Sequence, residues 1–295
     1  MLAIIGGSGL GEALQIFGNG RVETVSTPFG APSGPITVSR VDGIEVALLP
    51  RHGTGHLLNP SKVPYRANIF ALKTLGVTQI IASGAVGSLS EEIAPRSLVI
   101  PDQIIDRTYL RKPTFFEDIA AHVELSSPFC SALRDVLAAG SGPSGIQVHP
   151  SGTYVCMEGP QLSTRAESQM HRAFGGLVIG MTGMPEARLA REAEICYASV
   201  ALVTDYDSWR VNLENVEKRQ HLEEIIHHFR AATANALELI RQSIPALASL
   251  SNKPCSCQSA LALGIWSERG KIPAHVWQTL KPLLQKYAPQ DDKIV

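Results

Sequence analysis

Two carboxylates, Asp205 and Asp207, follow the apolar run of residues 198–203 and flank a single tyrosine. In a mostly parallel α/β sheet, polar groups at the end of a buried strand face the ligand crevice. Carboxyl groups there can protonate a basic heterocycle or accept a hydrogen bond from it. Two acids this close are expected to titrate as a pair, with one proton held near neutral pH. The alternative is that both acids only cap the turn after the strand.

Small hydroxyls, glycine amides and an Arg-His pair follow other predicted strands. Ser8 lies in the glycine-rich stretch 6–11, and Arg51 and His52 precede a glycine. Gly84 lies in a loop of small residues predicted at 83–88, and Thr182 follows an apolar run. An arginine is the side chain best matched to a tetrahedral oxyanion, and glycine lets an anion approach the backbone. These groups together predict an anion pocket, although stretch 6–11 alone is also compatible with a tight structural turn.

Other catalytic designs are disfavoured by what the sequence lacks. There is no G-x-S-x-G elbow, and stretch 6–11 is not a dinucleotide fingerprint because the third glycine position holds Glu12, which argues against a nicotinamide dehydrogenase. An anion bound beside a proton donor, with no protein nucleophile, suggests that the anion is itself the attacking group.

The cysteines predict no metal site. Of the five, only Cys255 and Cys257 are close in sequence, and two ligands cannot complete a zinc site. An exposed neutral pair, a strained redox-active disulfide and a soft-metal ligand pair remain open for them.

The elements that must position these residues are strands alternating with helices. Strands are predicted at 77–82, 153–157, 177–181 and 196–204, and hairpins over 21–49 with a turn at Asp42-Gly43. A long amphipathic helix is predicted over 214–244, and a last amphipathic helix over 275–287. This rhythm predicts an α/β single domain, a central mixed β-sheet or distorted barrel flanked by helices, with ligand loops on one edge. We expect residues 1–245 to form it, and residues 246–295 to be a C-terminal linker with the Cys-x-Cys pair and a helix packing over the active site.

Composition is that of an ordinary globular protein. The 295 residues are 44% hydrophobic and 18% charged, with a net charge of -1. No basic surplus argues for nucleic acid, and the five-residue apolar start is too short for a signal peptide or a membrane span. The expected location is therefore the cytoplasm, with neither nucleic acid nor membrane as a partner.

Seven segments carry a resemblance to a known family. They are IIGGSGL from Ile4, RHG from Arg51, YRANIFALKTLGV from Tyr65, AVGSL from Ala85, EGPQLSTRAES from Glu158, IGMTGMPEA from Ile179 and VTDYDSW from Val203. Together they resemble the trimeric purine nucleoside phosphorylase superfamily, in its 5'-methylthioadenosine phosphorylase branch. The resemblance runs from position 2 to about position 240 in consistent order.

The resemblance implies a mixed sheet of about nine strands, subunits assembled as trimers or dimers of trimers, and sites at subunit interfaces. It implies phosphorolysis, in which methylthioadenosine and phosphate give adenine and 5-methylthioribose 1-phosphate, with no cofactor besides phosphate as co-substrate. The residues implied to hold phosphate are Ser8, Arg51, His52, Gly84, Ala85 and Thr182. Those implied to contact the nucleoside are Met181, Leu162, Ser163, Thr204 and His122, with Asp205 and Asp207 as the catalytic acids.

Three positions depart from the family's usual residues. Leu162 is commonly aromatic, and Ser8 and Gly84 are often threonine, so base stacking is weaker here and the Gly84 contact is limited to its backbone. The resemblance also implies that His122 reaches into the neighbouring subunit's site and that the C-terminal helix, through Leu283 or Leu284, covers an apolar 5' pocket. Cys130 and Cys196 match positions that form a disulfide in some thermophilic relatives.

The two acids favour a 6-aminopurine. Adenine presents N6–H donors and an N7 that must gain a proton, and a carboxyl group serves both, whereas an ionised carboxylate repels the O6 of a 6-oxopurine. A 6-oxopurine or methylthioinosine phosphorylase is the alternative within this class. A non-catalytic nucleoside-binding protein is the alternative outside it, and the intact set of Arg51, His52 and Asp205 argues against it.

Overall fold

The computed structural model describes residues 1–7, 17–18, 20–140, 147–210 and 218–288, with side chains from residue 223 in the last range. Its centre is a mixed sheet of eleven strands, flanked by helices. The strands, β1 to β11 in chain order, are Leu2–Gly6, Arg21–Glu23, Ile36–Val41, Ile44–Pro50, Gln79–Ser88, Leu98–Val99, Gln103–Arg107, Val148–His149, Thr153–Met157, Val178–Gly180 and Cys196–Tyr206. The resemblance implied about nine strands, and two of the eleven, β6 and β8, have only two residues each.

The sheet branches at its central strand, β5. The main path runs β2-β3-β4-β1-β5-β10-β9-β7, while β11 pairs with β5 and continues to β6 and β8. On one side β5 pairs with β11 along its whole length. On its other side it pairs with β1 only at 79–82 and with β10 only at Gly87 and Ser88. Among the described strands, residues 83–86 therefore have no partner on that side, and a gap opens in the sheet.

Strand β11 contains a bulge where it approaches this gap. Its parallel register with β5 pairs Val203 with Val86 but Asp205 with Gly87, so Thr204 is the extra residue. A bulge re-aims neighbouring side chains, and bulges are common beside active sites. Without it, Thr204 and Asp205 would project to opposite faces of the sheet.

Helices cover both faces of the sheet. In chain order α1 to α7 are Tyr65–Thr74, Ser131–Ala139, Arg165–Ala173, Gly183–Glu192, Lys218–Ser249, Ala274–Thr279 and Lys281–Leu284. Helix α1 packs on α4, and α5 packs on β11 and α2. Two large apolar clusters result, one on each side of the central strands. No helix among the described residues combines the length and the apolar character that a bilayer crossing needs.

Most predicted elements are present, and the single-domain α/β fold is confirmed. Strand β9 has the predicted bounds, and the Asp42-Gly43 turn joins β3 and β4, with positive φ at both residues. The prediction of a loop at 83–88 was wrong, because these small residues continue β5.

The C-terminal helix prediction was also wrong in its length. Instead of one helix over 275–287 there are two short ones, α6 and α7, followed by a 3₁₀ turn. Pro282 lacks an N–H donor, and its ring clashes with the carbonyl four residues earlier, so it breaks the helix. Leu283 and Leu284 are buried in the apolar cluster that also contains α1 residues.

Candidate active site

A cavity of about 770 Å³ lies at the gap in the sheet. The ends of β5, β10 and β11 line it, together with the loops after β4 and β9 and with Ile225 of helix α5. Eleven of the residues singled out in the sequence line this cavity: Arg51, His52, Gly84, Ala85, Leu162, Ser163, Met181, Thr182, Thr204, Asp205 and Asp207. The strand-end residues predicted from the sequence thus meet in one site.

Arg51 is buried at one end of the cavity and is fixed by an ion pair. Its Nε and Nη2 donate to the two carboxylate oxygens of Glu186 at 2.7 and 2.8 Å, and its Nη1 donates to the Ser83 carbonyl at 2.6 Å. Tyr197 also donates its hydroxyl to Glu186, at 2.8 Å. Although burial opposes the charge, Glu186 raises the pKa of Arg51, so the guanidinium stays cationic. One N–H of Nη1 and one N–H of Nη2 remain without an acceptor among the described residues.

Backbone and hydroxyl groups surround the free edge of this guanidinium. A Cβ at Gly84 would lie 3.5 Å from Thr182 Oγ1 and 3.8 Å from Arg51 Nη1, so these three residues enclose a small space. A side chain at Gly7 would overlap Arg51 Nη1 and the Ser83 carbonyl, which explains glycine at that position. The space lies where β5 has no partner on one side, and it offers a cation, a hydroxyl and backbone to an anion.

On the phosphate-binding role that the resemblance implies for Gly84, we expect Gly84→Thr to lower the KM for phosphate by about two- to tenfold, the value of one added hydrogen bond. There is room for the side chain, because the nearest atoms to a Cβ are at ordinary contact distance. Steady-state kinetics at varied phosphate concentration measure the effect. Gly84→Val is the matched control, since it has the same shape without the hydroxyl and should raise the KM. Equal KM values for both variants would show that no anion binds here.

His52 lines the same end of the cavity as a neutral ring. Its Nδ1 lies 2.7 Å from the Leu58 carbonyl, which assigns the Nδ1–H tautomer, and its ring stacks on that of His56. Burial, and then the charge of Arg51, lower the pKa of His52 to about 4. At neutral pH the ring therefore adds no charge, and its Nε2 is an acceptor that suits a protonated phosphate oxygen.

The lowered pKa of His52 predicts a loss of stability in acid. Unfolded His52 binds a proton near pH 6.5 and folded His52 only near pH 4, so stability is complete above pH 6.5 and falls as the pH drops toward 4. Between pH 7 and 4.5 the wild-type protein should lose free energy of unfolding. We expect His52→Asn, which keeps an N–H for the Leu58 carbonyl, to lose about 1–2 kcal/mol less over this range, after allowance for solvent screening. Urea unfolding at both pH values measures it, and identical losses in both proteins would contradict it.

The carboxylates lie at the opposite wall, on the bulged end of β11. Thr204 donates its hydroxyl to Asp205 Oδ1 at 2.5 Å. Asp207 is 8% exposed, and its Oδ2 is buried without a hydrogen-bond partner among the described residues. A buried carboxylate oxygen without a partner is costly, which indicates that a ligand supplies the donor. The shared titration of the two acids stays a prediction.

The turn that carries the acids is held rigid by Ser208 and Trp209. The Ser208 hydroxyl donates to the Ser163 carbonyl at 2.6 Å, and the Trp209 indole N–H donates to the Ser88 carbonyl at 2.9 Å. The guanidinium of Arg172 lies 3.6 Å from the centre of the Trp209 ring. These contacts tie the turn to β5 and to the loop before helix α3.

Three other predicted substrate contacts lie between the two ends. Met181 packs against Gly159, which has a φ of 66° and no room for a side chain. Ser163 is buried, and its hydroxyl lies 3.7 Å from Met157 Sδ. Leu162 is 77% exposed although it lines the cavity, so in a single chain its side chain is open to solvent on one side.

Sequence reasoning missed a buried pair that supports this wall. Arg111 lies in the segment 107–127, whose sequence is polar and shows no regular pattern. Its Nη1 nevertheless donates to the carbonyls of Met181 and Met184 at 2.6 and 2.5 Å, and its Nε pairs with Glu158 at 3.0 Å. Although burial opposes it, hydrogen bonds from Ser61 and two backbone amides lower the pKa of Glu158 to about 2. Glu158 stands in a quoted motif, which was the only signal available for this pair.

One predicted residue that the structure describes, His122, does not line the cavity of this chain. His122 packs its ring against the exposed Trp266, with centroids 4.8 Å apart. Its predicted role concerns a neighbouring subunit and stays a prediction. Ser8 falls outside the described residues. No described residue after Ile225 lines the cavity, so the described part of the C-terminal segment, up to residue 288, does not cover it within one chain.

Comparison with known proteins places this chain in a family. The model of the phosphorylase superfamily matches residues 1–245. The S-methyl-5'-thioadenosine phosphorylase of Geobacter sulfurreducens is 45% identical over 289 residues, covering 97% of this chain and 99% of the relative. The chain belongs to the S-methyl-5'-thioadenosine phosphorylase branch of the phosphorylase superfamily. A second member of this branch, from Hyperthermus butylicus, is 46% identical over 263 residues, or 88% of this chain and 93% of the relative.

Solved structures agree with this assignment. A methylthioadenosine phosphorylase from an Antarctic soil metagenomic library superposes with a TM-score of 0.86 at 44% identity, covering 96% of this chain and 98% of the other. The methylthioadenosine phosphorylase of Schistosoma mansoni, in complex with adenine, gives a TM-score of 0.83 at 33% identity, covering 90% of this chain and 99% of the other.

Proposed function

We propose that this protein catalyses the phosphate-dependent cleavage of 5'-methylthioadenosine to adenine and 5-methylthioribose 1-phosphate. One observation carries the proposal: a single cavity is lined by the buried Arg51, with its unused donors, and by the buried Asp207, whose Oδ2 has no hydrogen-bond partner among the described residues. A cavity of about 770 Å³ lies within the usual size range for small-molecule sites. The relatives that match most of the chain act on the same nucleoside by name.

The anion pocket holds the attacking group, and the carboxyl groups protonate the leaving base. Phosphate at Arg51, Gly84 and Thr182 is the nucleophile that bonds to C1' of the ribose. The bond from C1' to N9 breaks, and its electron pair stays on the purine. Asp207 or Asp205 donates a proton to N7, which neutralises the charge that develops on the leaving base. The reaction needs no cofactor besides phosphate as co-substrate.

A spectrophotometric comparison of methylthioadenosine, adenosine and inosine, each with and without phosphate, tests the proposal. We expect adenine release from methylthioadenosine only with phosphate. Equal release without phosphate would make the protein a hydrolase, and faster turnover of inosine or methylthioinosine would make it a 6-oxopurine phosphorylase. Binding of methylthioadenosine without turnover would revive the non-catalytic alternative.

We also propose that the chain works as a trimer or a dimer of trimers, with sites completed at subunit interfaces. Large apolar side chains are exposed around His122, with Trp266 at 73% and Leu263 at 92%, and Leu162 is exposed at the cavity. Apolar surface of this kind is typical of contacts between subunits. Light scattering after size exclusion should give three or six times the mass of one chain, and a monomer would contradict it. The proposed location is the cytoplasm.

A further inference from the structure

Four of the five cysteines converge on one point outside the cavity. They are Cys130, Cys196, Cys255 and Cys257, and their Sγ atoms all lie within 4.8 Å of one another. Cys130 Sγ and Cys255 Sγ are 3.8 Å apart. All are free thiols, and none lines the cavity.

Three distant parts of the chain bring these sulfurs together. Cys196 is the first residue of β11, and Cys130 precedes helix α2, with its backbone N–H donating to the Tyr197 carbonyl at 2.8 Å. Cys255 and Cys257 flank Ser256, at the start of the 3₁₀ turn Ser256–Ser259 that follows helix α5. Only this last pair is recognisable from the sequence, because the other two thiols are far away in the chain.

The surroundings of the four sulfurs are apolar. Cys130, Cys196 and Cys257 are 3–4% exposed and belong to the apolar cluster between α5 and the sheet. Packing alone does not require that four thiols face one another, because each S–H is a weak donor and any small apolar side chain would fill the space. A common ligand for all four sulfurs does require it, as would disulfide bonds, which these free cysteines do not form.

Four thiols close together are the donor set that a soft metal prefers, because cysteine binds metals as the thiolate and loses its proton on binding.

We propose that Cys130, Cys196, Cys255 and Cys257 bind one zinc ion. Zinc–sulfur bonds of about 2.3 Å in a tetrahedron place the sulfurs about 3.8 Å apart, the separation already present between Cys130 and Cys255. The other sulfurs need only small side-chain shifts, since none of the pairs exceeds 4.8 Å. Binding replaces the thiol protons with the metal, and nothing is oxidised or reduced.

With all four positions taken by protein, the site is structural. The positions of the four cysteines indicate which parts of the chain the zinc ion would stabilise. Cys196 begins the strand whose other end carries Asp205, and Cys255 and Cys257 begin the C-terminal segment. Further along this segment, Lys286 and Tyr287 bind Glu194, two residues before Cys196. The metal would fasten the C-terminal segment to the base of the catalytic strand.

Metal analysis of the purified full-length chain, prepared without chelators, tests the proposal. We expect about one zinc ion per chain, released when a mercurial reagent blocks the thiols. Cobalt in place of zinc should give the visible absorption of a tetrahedral thiolate complex. Cys257→Ser should lose the zinc, and Cys156→Ser is the matched control, because Cys156 is buried outside the cluster and should keep it.

Three results would overturn the proposal. The first is a wild-type chain without metal whose non-reduced mass shows disulfides among these four cysteines. The second is a chain with four alkylatable thiols and no metal, even after incubation with zinc. The third is one equivalent of iron instead of zinc. These measurements on the wild-type chain decide the question even if the serine variant does not fold, and none of them depends on phosphorylase activity.

Discussion

Asp207→Asn is expected to lower kcat/KM for methylthioadenosine by about 100-fold or more, the range that general acid catalysis contributes. The amide has the shape of the carboxyl group but no proton to give to N7. Because Asp207 Oδ2 is buried without a partner in the described chain, replacing the carboxyl group by an amide breaks no described contact of that atom, and the unfolding free energy should stay unchanged or rise by about 0.5–2 kcal/mol. Steady-state kinetics and urea unfolding of the same preparation measure both effects.

Asp205→Asn is the matched comparison, since Asp205 shares the same turn but accepts a hydrogen bond from Thr204. An amide at either position can donate to the O6 of a 6-oxopurine, so the ratio of inosine to adenosine turnover should rise. When the acid that donates to N7 is replaced, the limb of the pH–rate profile that depends on its proton should also disappear. Unchanged rate, ratio and pH profile in both variants would remove this turn from catalysis and specificity.

The sequence was sufficient to predict these two acids because their position depends on local information. An apolar run that stops at polar residues marks a strand end, and strand ends of parallel strands meet at one edge. The same reasoning predicted Arg51, Gly84 and Thr182 in one site, and in the structure all three line the same cavity.

The branching of the sheet could not be predicted from the sequence, because it depends on the length over which strands that are distant in the chain pair with each other. The small residues 83–88 indicated a loop, but β11 supplies a partner along their whole length and makes them a strand. The bulge at Thr204 likewise arises from pairing, and it lets Thr204, Asp205 and Asp207 line one cavity.

Contacts to backbone carbonyls were missed for a related reason. Arg111 stabilises the site through the carbonyls of Met181 and Met184. Every residue has a backbone carbonyl, so residue types do not show which carbonyl accepts a hydrogen bond. Glu186 was visible as a residue of a quoted motif, but nothing in its spacing connects it with Arg51, which is 135 positions away.

Arg51→Ala is expected to have the largest combined effect of any substitution at the anion end. Removing the guanidinium leaves Glu186 as a buried charge without its partner, which costs about 3–5 kcal/mol of unfolding free energy. The same change removes the cation from the phosphate site, so the KM for phosphate should rise. Loss of activity in this variant alone does not separate the two causes.

The double variant Arg51→Met with Glu186→Gln separates them. A neutral pair of similar volume avoids the buried charge, and Tyr197 can still donate its hydroxyl to the amide oxygen of the glutamine. Most of the stability should therefore return, because well-packed neutral replacements of buried ion pairs are often neutral or stabilising. The high KM for phosphate should persist, because no cation has been restored. Urea unfolding and phosphate titration of both variants distinguish stability from binding. A double variant that regains the wild-type KM would show that phosphate binds elsewhere and that Arg51 serves only to neutralise Glu186.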